Sequence, residues 1–246
     1  MRRIIYRGLM GFGGVLLLMN CGSQVPVIEQ PIETTDRMIH FSGFEWIVRN
    51  NDAKQGPGPN YFSDSEDNVW IDNSGKLHLR ITQKGGNWYC AGIYAKQPLG
   101  YGKYTFYINS DITKLDQNVV AGLFTYLNDM EEIDIEFSKW SISDNKNAQY
   151  AIQPADAAGN KFRFDIPAGS GPTKHEFNWH ADKVIFSSGF NINSNEEIFA
   201  GWKYVGAQTP KPSNEKMRLN LWLFKGQIPS NLKEQEIVID SVSFER

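Results

Sequence analysis

The 246-residue chain carries 25 basic and 28 acidic residues, a formal net charge of −3, with the two signs interspersed. No basic stripe exists to neutralise phosphates, so nucleic acid is not an expected partner. The four histidines, His40, His78, His175 and His180, include no pair at His-x-x-x-His spacing, so no catalytic zinc site is indicated.

In chain order, Arg2, Arg3 and Arg7 precede an apolar run from Leu9 to Met19. The run is short of the roughly 20 residues a membrane-spanning helix needs, so residues 1–21 read as a secretory signal. Leu18-Met19-Asn20-Cys21 resembles a bacterial lipobox, which implies that Cys21 becomes the lipidated N-terminus. Simple cleavage and release is the alternative. No Asp follows the cysteine as an inner-membrane retention signal, so a secreted protein, lipid-anchored at an outer membrane or cell surface, is expected. Residues 22–37, with Pro26 and Pro31 and no apolar period, read as a flexible tether. Residues 38–246 suit one domain, expected to be monomeric, because all-β chains of ~200–250 residues commonly share a single core.

Gly56-Pro57-Gly58-Pro59-Asn60 opens a turn-rich loop reaching Asp64, able either to shape a cleft or to cover a sheet edge. Period-2 segments follow at Leu77–Ile81, Tyr104–Ile108, Phe162–Phe164, Lys183–Phe186 and Ile237–Ile239, separated by turns such as Asn73-Ser74-Gly75 and Gly85-Gly86-Asn87. Helical periodicity is scarce. The expectation is an all-β, two-sheet antiparallel sandwich of jelly-roll type, whose curved sheet supplies a concave cleft. Thirty-two aromatic residues could line that cleft or fill the core. Cys90, the only cysteine besides Cys21, has no disulfide partner in the mature domain and reads as a small buried hydrophobe.

One strand carries the chemistry. In Glu132-Ile133-Asp134-Ile135-Glu136-Phe137, alternation sends the three acids to one face and Ile133, Ile135 and Phe137 to the other. Like charges side by side are destabilising, so stability alone does not account for the row. A solvated acidic face is one alternative. A calcium site is another, disfavoured because alternate residues lie ~6.6 Å apart along a strand and all three must reach one ion at ~2.4 Å. Glycoside hydrolysis with retention needs a nucleophilic carboxylate and a carboxylic acid about 5–5.5 Å apart. Glu132 and Glu136 are then nucleophile and acid/base, leaning inward over Asp134, which hydrogen-bonds the nucleophile and holds charge that keeps the acid protonated.

A second strand reads in the same way. Met217, Leu219, Leu221 and Leu223 take one face, and Arg218, Asn220, Trp222 and Phe224 the other. An amide beside an indole suits a sugar, which offers hydroxyls and an apolar ring face. An ordinary packed Trp is the alternative.

The motif Glu132-x-Asp134-x-Glu136 resembles the signature of glycoside hydrolase family 16, in its unbulged, licheninase-like form. Asn73–Leu77, Gly100-Tyr-Gly-Lys-Tyr104, Phe124-Thr-Tyr126, Phe177-Asn-Trp179 with Asp182-Lys183, and Asn220-Leu-Trp222 are similar to further family segments in the same order. The resemblance implies a concanavalin A-like fold, a retaining endo-β-glycanase acting on β-linked polysaccharide, and substrate contacts at Tyr126, Asn220 and Trp222. It implies no required cofactor; the family's structural calcium is not assignable to any carboxylate cluster here. Licheninase-like Glu and Arg positions are Gly92 and Tyr94, the Trp-Asp before the motif is Met130-Glu131, and Asn and Tyr of the next strand become Ala151 and Gln153. Trp140, Gln149 and Gln153 are candidate replacement contacts. The changed cleft leaves a non-catalytic cell-surface glycan-binding lipoprotein as the rival.

Overall fold

A computed structural model describes residues 36–169, 171–192 and 195–246. The expected signal segment, Cys21 and most of the expected tether lie outside the described residues. Arg37, placed at the tether's end, already belongs to the folded part: its guanidinium donates to the carbonyls of Asp64 (2.7 Å) and Val69 (2.9 Å).

Alternation in the sequence becomes sixteen strands among the described residues. They are β1 (Met38–Phe41), β2 (Phe44–Val48), β3 (Tyr61–Phe62), β4 (Val69–Ile71), β5 (Leu77–Lys84), β6 (Asn87–Ala95), β7 (Gly102–Ile108) and β8 (Val119–Asn128). There follow β9 (Glu131–Phe137), β10 (Ala148–Ile152), β11 (Lys161–Phe164), β12 (Thr173–Trp179), β13 (Val184–Ile192), β14 (Asn195–Tyr204), β15 (Lys216–Leu223) and β16 (Gln235–Glu245). The period-2 segments fall on β5, β7, β11, β13 and β16. At one end the reading ran too far: β15 stops at Leu223, and Phe224 opens a short 3-10 turn, so it does not continue the row of Asn220 and Trp222.

Hydrogen-bonded pairing orders one sheet β11-β10-β9-β8-β15-β6-β2-β1 and the other β5-β16-β7-β12-β13-β14. The β5–β6 hairpin joins them, with Thr82 opposite Tyr89 and Lys84 opposite Asn87. All these pairs are antiparallel. A parallel pairing of β3 with β6 sets Phe62 opposite Cys90. The result is the expected two-layer jelly roll, with the acidic strand near the middle of the first sheet.

The layers meet through the apolar halves of the strands. Ile133, Ile135 and Phe137 of β9 are buried, as are Leu219 and Leu221 of β15 and Phe177 and Phe186 of the opposite sheet. Burying each such side chain contributes roughly 1.5–3 kcal/mol. Tyr150 of β10 crosses the core and donates to Ser188 Oγ (2.6 Å), which also meets His175 Nδ1 (2.7 Å). His175 Nε2 meets Thr173 (2.8 Å), and complete burial pushes its pKa down to about 3, so the imidazole is neutral. This network satisfies polar groups that burial would otherwise leave unpaired, and it pins β10 against β12 and β13. Cys90 is fully buried and burial pushes its thiol up to about 12, leaving an inert side chain.

Candidate active site

Strand register assembles the site. On β9, Glu132, Asp134 and Glu136 sit opposite Tyr126, Phe124 and Gly122 of β8. On β8's other side, Phe124 and Gly122 sit opposite Arg218 and Asn220 of β15. These in turn face Tyr94 and Gly92 of β6. Because the period along each strand is two, one face of four adjacent strands carries all of these side chains.

Those on β8, β9 and β15 line a cleft of about 480 Å³ together with Trp222, Asp129, Arg49, Gln55, Gly56 and Pro57. Tyr126, Asn220 and Trp222, expected from the sequence as substrate contacts, share this cleft with the three acids. The loop opened by Gly56 shapes the cleft, and its continuation as β3 also pairs with β6, so both readings of that loop hold in part. Gly122 is required by Asn220: a Cβ there would stand 2.5 Å from Asn220 Oδ1. That oxygen is buried and has no partner among the described residues, leaving an acceptor free at the cleft.

Gln149 and Gln153 come to the acidic row from β10, but as supports. Gln149 Nε2 donates to Glu136 Oε2 (2.6 Å) and Gln153 Nε2 donates to Asp134 Oδ2 (2.9 Å). Gln153 is fixed in turn because its Oε1 accepts from the Ala155 amide (2.8 Å). Trp140 is buried, and the Arg163 guanidinium covers its ring at 4.1 Å. Arg163 stands opposite Gln149 and its charge acts on Glu136. Trp140 is not among the residues that line the cleft.

All three carboxyls are held above their ordinary range, chiefly by burial. Glu132 is pushed up to about 8, by burial and by the charge of Glu136, against a hydrogen bond from Asp134 and the field of Arg218. Asp134 is raised well above the usual carboxylate range by burial and by both glutamates. Glu136 is raised by burial, against the Gln149 hydrogen bond and the charges of Arg163 and Lys161. Both members of the Glu132–Asp134 pair cannot hold the proton that joins them. Burial and both glutamates favour the proton on Asp134, which is only 2 % exposed, whereas Arg218 favours the anion on Glu132. The sequence reading gave Asp134 a charge; its burial favours a proton there.

Sequence reasoning missed Arg49 as a site residue and left Arg218 without a role. Arg218 lies over Tyr126 (4.3 Å) and Tyr94 (5.5 Å), and Arg49 over Phe62 (3.8 Å). Gly92 was the available signal, since a glycine inside a strand marks close approach by another group. Among the described residues, no group of three or more His, Cys, Asp or Glu is placed to hold a metal ion.

No family model and no curated protein matches the chain. Solved structures do match in fold. A Bacillus licheniformis β-glucanase superposes with a TM-score of 0.63 at 16 % identity, over 85 % of this chain and 94 % of that one. A laminarinase from a Flavobacterium species gives 0.61 at 14 %, over 82 % and 93 %. An immunostimulatory antigen and pseudo β-1,3-glucanase of Mycobacterium tuberculosis gives 0.60 at 19 %, over 82 % and 91 %. The chain thus has the jelly-roll fold of the β-glucanases, the architecture implied by the resemblance at Glu132–Glu136.

Proposed function

We propose that the protein is a retaining glycoside hydrolase of the family 16 type, cleaving a β-linked polysaccharide by double displacement. The observation that carries the reading is the acidic row on one face of β9, facing a cleft that also presents Asn220 and Trp222. The glucanases that share the fold support it. Glu132, its anion favoured by Arg218 and by the proton of Asp134, attacks the anomeric carbon. Glu136, kept protonated by burial, gives its proton to the leaving oxygen and then takes one from the hydrolytic water. Trp222 offers an apolar face to a pyranose ring and Asn220 Oδ1 accepts from a sugar hydroxyl. The chain is further proposed to be exported and held by lipid at Cys21.

The test is a reducing-end assay on β-1,3/1,4-glucan, laminarin, xyloglucan, agar and carrageenan with wild type and Glu132→Gln. Cleavage by the wild type alone is expected. Absence of cleavage on every polymer, or equal activity in the variant, overturns the reading. The second reading, a glycan-binding lipoprotein without turnover, is favoured by the pseudo-glucanase among the structural neighbours and by Gly92, Met130 and Ala151. Calorimetric binding of oligosaccharides without cleavage, unchanged by Glu136→Gln, is the result that supports it.

A further inference from the structure

Opposite the acids, the cleft is cationic. Arg49 and Arg218 both line it, close enough for each to feel the other's charge. Neither has a carboxylate at ion-pair distance among the described residues, and Arg218 Nε is buried without a partner. Desolvating two like charges is costly unless an anion joins them. A neutral glycan supplies none.

The position of Arg49 is built. A Cβ on Gly92 would lie 3.4 Å from Arg49 Cδ and 3.5 Å from Asn220 and Phe62, ordinary contact distances, so the arginine stem packs over Gly92 with Asn220 and Phe62 beside it. Phe62 supports the guanidinium face at 3.8 Å, and one of its nitrogens donates to the Gly56 carbonyl. Where licheninase-like sequences place a carboxylate, this cleft holds a fixed cation. A guanidinium held in place before binding loses little freedom when it forks onto an oxyanion.

We infer that Arg49 and Arg218 form a subsite for an anionic substituent, a sulfate ester or a carboxylate, on the sugar bound beside Glu132. The inference rests on the glycan-cleft reading of the same site and gives it a substrate class, an acidic polysaccharide. Arg218 also faces Glu132, so Arg49 is the residue that isolates the specificity role. Net attraction is retained because the acids share protons whereas both guanidiniums remain charged at neutral pH.

The test compares laminarin, lichenan, xyloglucan and agarose, each in neutral, sulfated and carboxymethylated form, with full-chain wild type, Arg49→Met and Arg49→Lys. Met keeps an apolar stem on Phe62 without the charge, and melting curves verify that both variants fold. On the backbone that is cut, one anionic form is expected to exceed the neutral form at least tenfold in kcat/KM. Whether that form is the sulfated or the carboxymethylated one identifies the anion. Arg49→Met is expected to bring the ratio near one, chiefly through KM, while Arg49→Lys keeps part of it. Preference for neutral polymer, or a ratio untouched by Arg49→Met, overturns the inference while leaving the hydrolase reading intact. If nothing is cut, that reading fails, and affinity electrophoresis in the same polymers decides this one. Retardation by anionic forms alone, lost in Arg49→Met, upholds it; equal or absent retardation overturns it.

Discussion

The two flanks of the cleft follow opposite electrostatic rules. On β9 and β10, three carboxyls crowd together and are tamed by sharing protons and by the amides of Gln149 and Gln153. On β15, and just past the end of β2, two guanidiniums crowd together with aromatic rings beneath them and, among the described residues, no carboxylate at ion-pair distance. The first flank is complete within the protein and suited to proton transfer. The second is incomplete without a ligand and suited to selecting one. In the proposed function catalysis belongs to the first flank and specificity to the second, and substitutions can separate them.

The largest effect is expected on the acidic flank. Glu132→Gln keeps the shape and removes the nucleophile, so kcat falls on the order of 10⁴-fold; initial-rate assays on the cleaved polymer measure it. Next comes Asp134, where two substitutions distinguish a proton from a charge. Asp134→Asn can still donate to Glu132 and accept from Gln153, so it loses less than about tenfold, whereas Asp134→Ala strands both partners and loses about 10²-fold. Equal losses would contradict the proton on Asp134.

Gln149→Met removes the hydrogen bond that favours ionised Glu136. The pKa of Glu136 rises further, and the alkaline limb of the kcat/KM profile is expected to move to higher pH, with a rate loss of about tenfold or less. On the basic flank Arg49→Met is expected to leave this limb where it is and to change the ratio of anionic to neutral substrate. A shift of the limb in both variants would erase the division between flanks.

The smallest effect concerns stability. A carboxyl whose pKa is raised on folding binds more protons in the native state. For the coupled Glu132–Asp134 pair this contribution is present at acid pH and is lost as pH rises through about 8, where the shared proton leaves. Asp134→Asn, which stays neutral at every pH, is therefore expected to melt higher than wild type at pH 8.5, on the order of 4 °C, with the gap closing by pH 4.5. A gap of the same size at both pH values would show that burial does not hold the proton.

The acidic flank was legible in the sequence because its evidence lies within one strand. Glu132, Asp134 and Glu136 alternate with Ile133 and Ile135, and period two alone puts the acids on one face. Asn220 and Trp222 were legible by the same rule. What resisted reading depends on register between strands. Gln149 and Gln153 were noticed as polar residues after the motif, but only the pairing of β9 with β10 directs their amides to carboxyls and away from sugar. Trp140 drew attention as an aromatic near the acids, yet Arg163, from a strand further along the sheet, covers it. Arg49 lies more than forty residues before Gly92 and packs over it, a contact no local pattern announces. The loss of polar groups at Gly92 and Tyr94 thus looked like a weakened cleft, whereas the structure has exchanged their chemistry for a cation.

The most direct test of the retaining mechanism is proton NMR of the first minutes of cleavage, on whichever β-linked polymer the wild type degrades fastest. Double displacement at Glu132 predicts that the new reducing ends arise as the β-anomer, with the α-anomer growing in only by mutarotation. Initial release of the α-anomer, or release that persists in Glu132→Gln, would contradict the account.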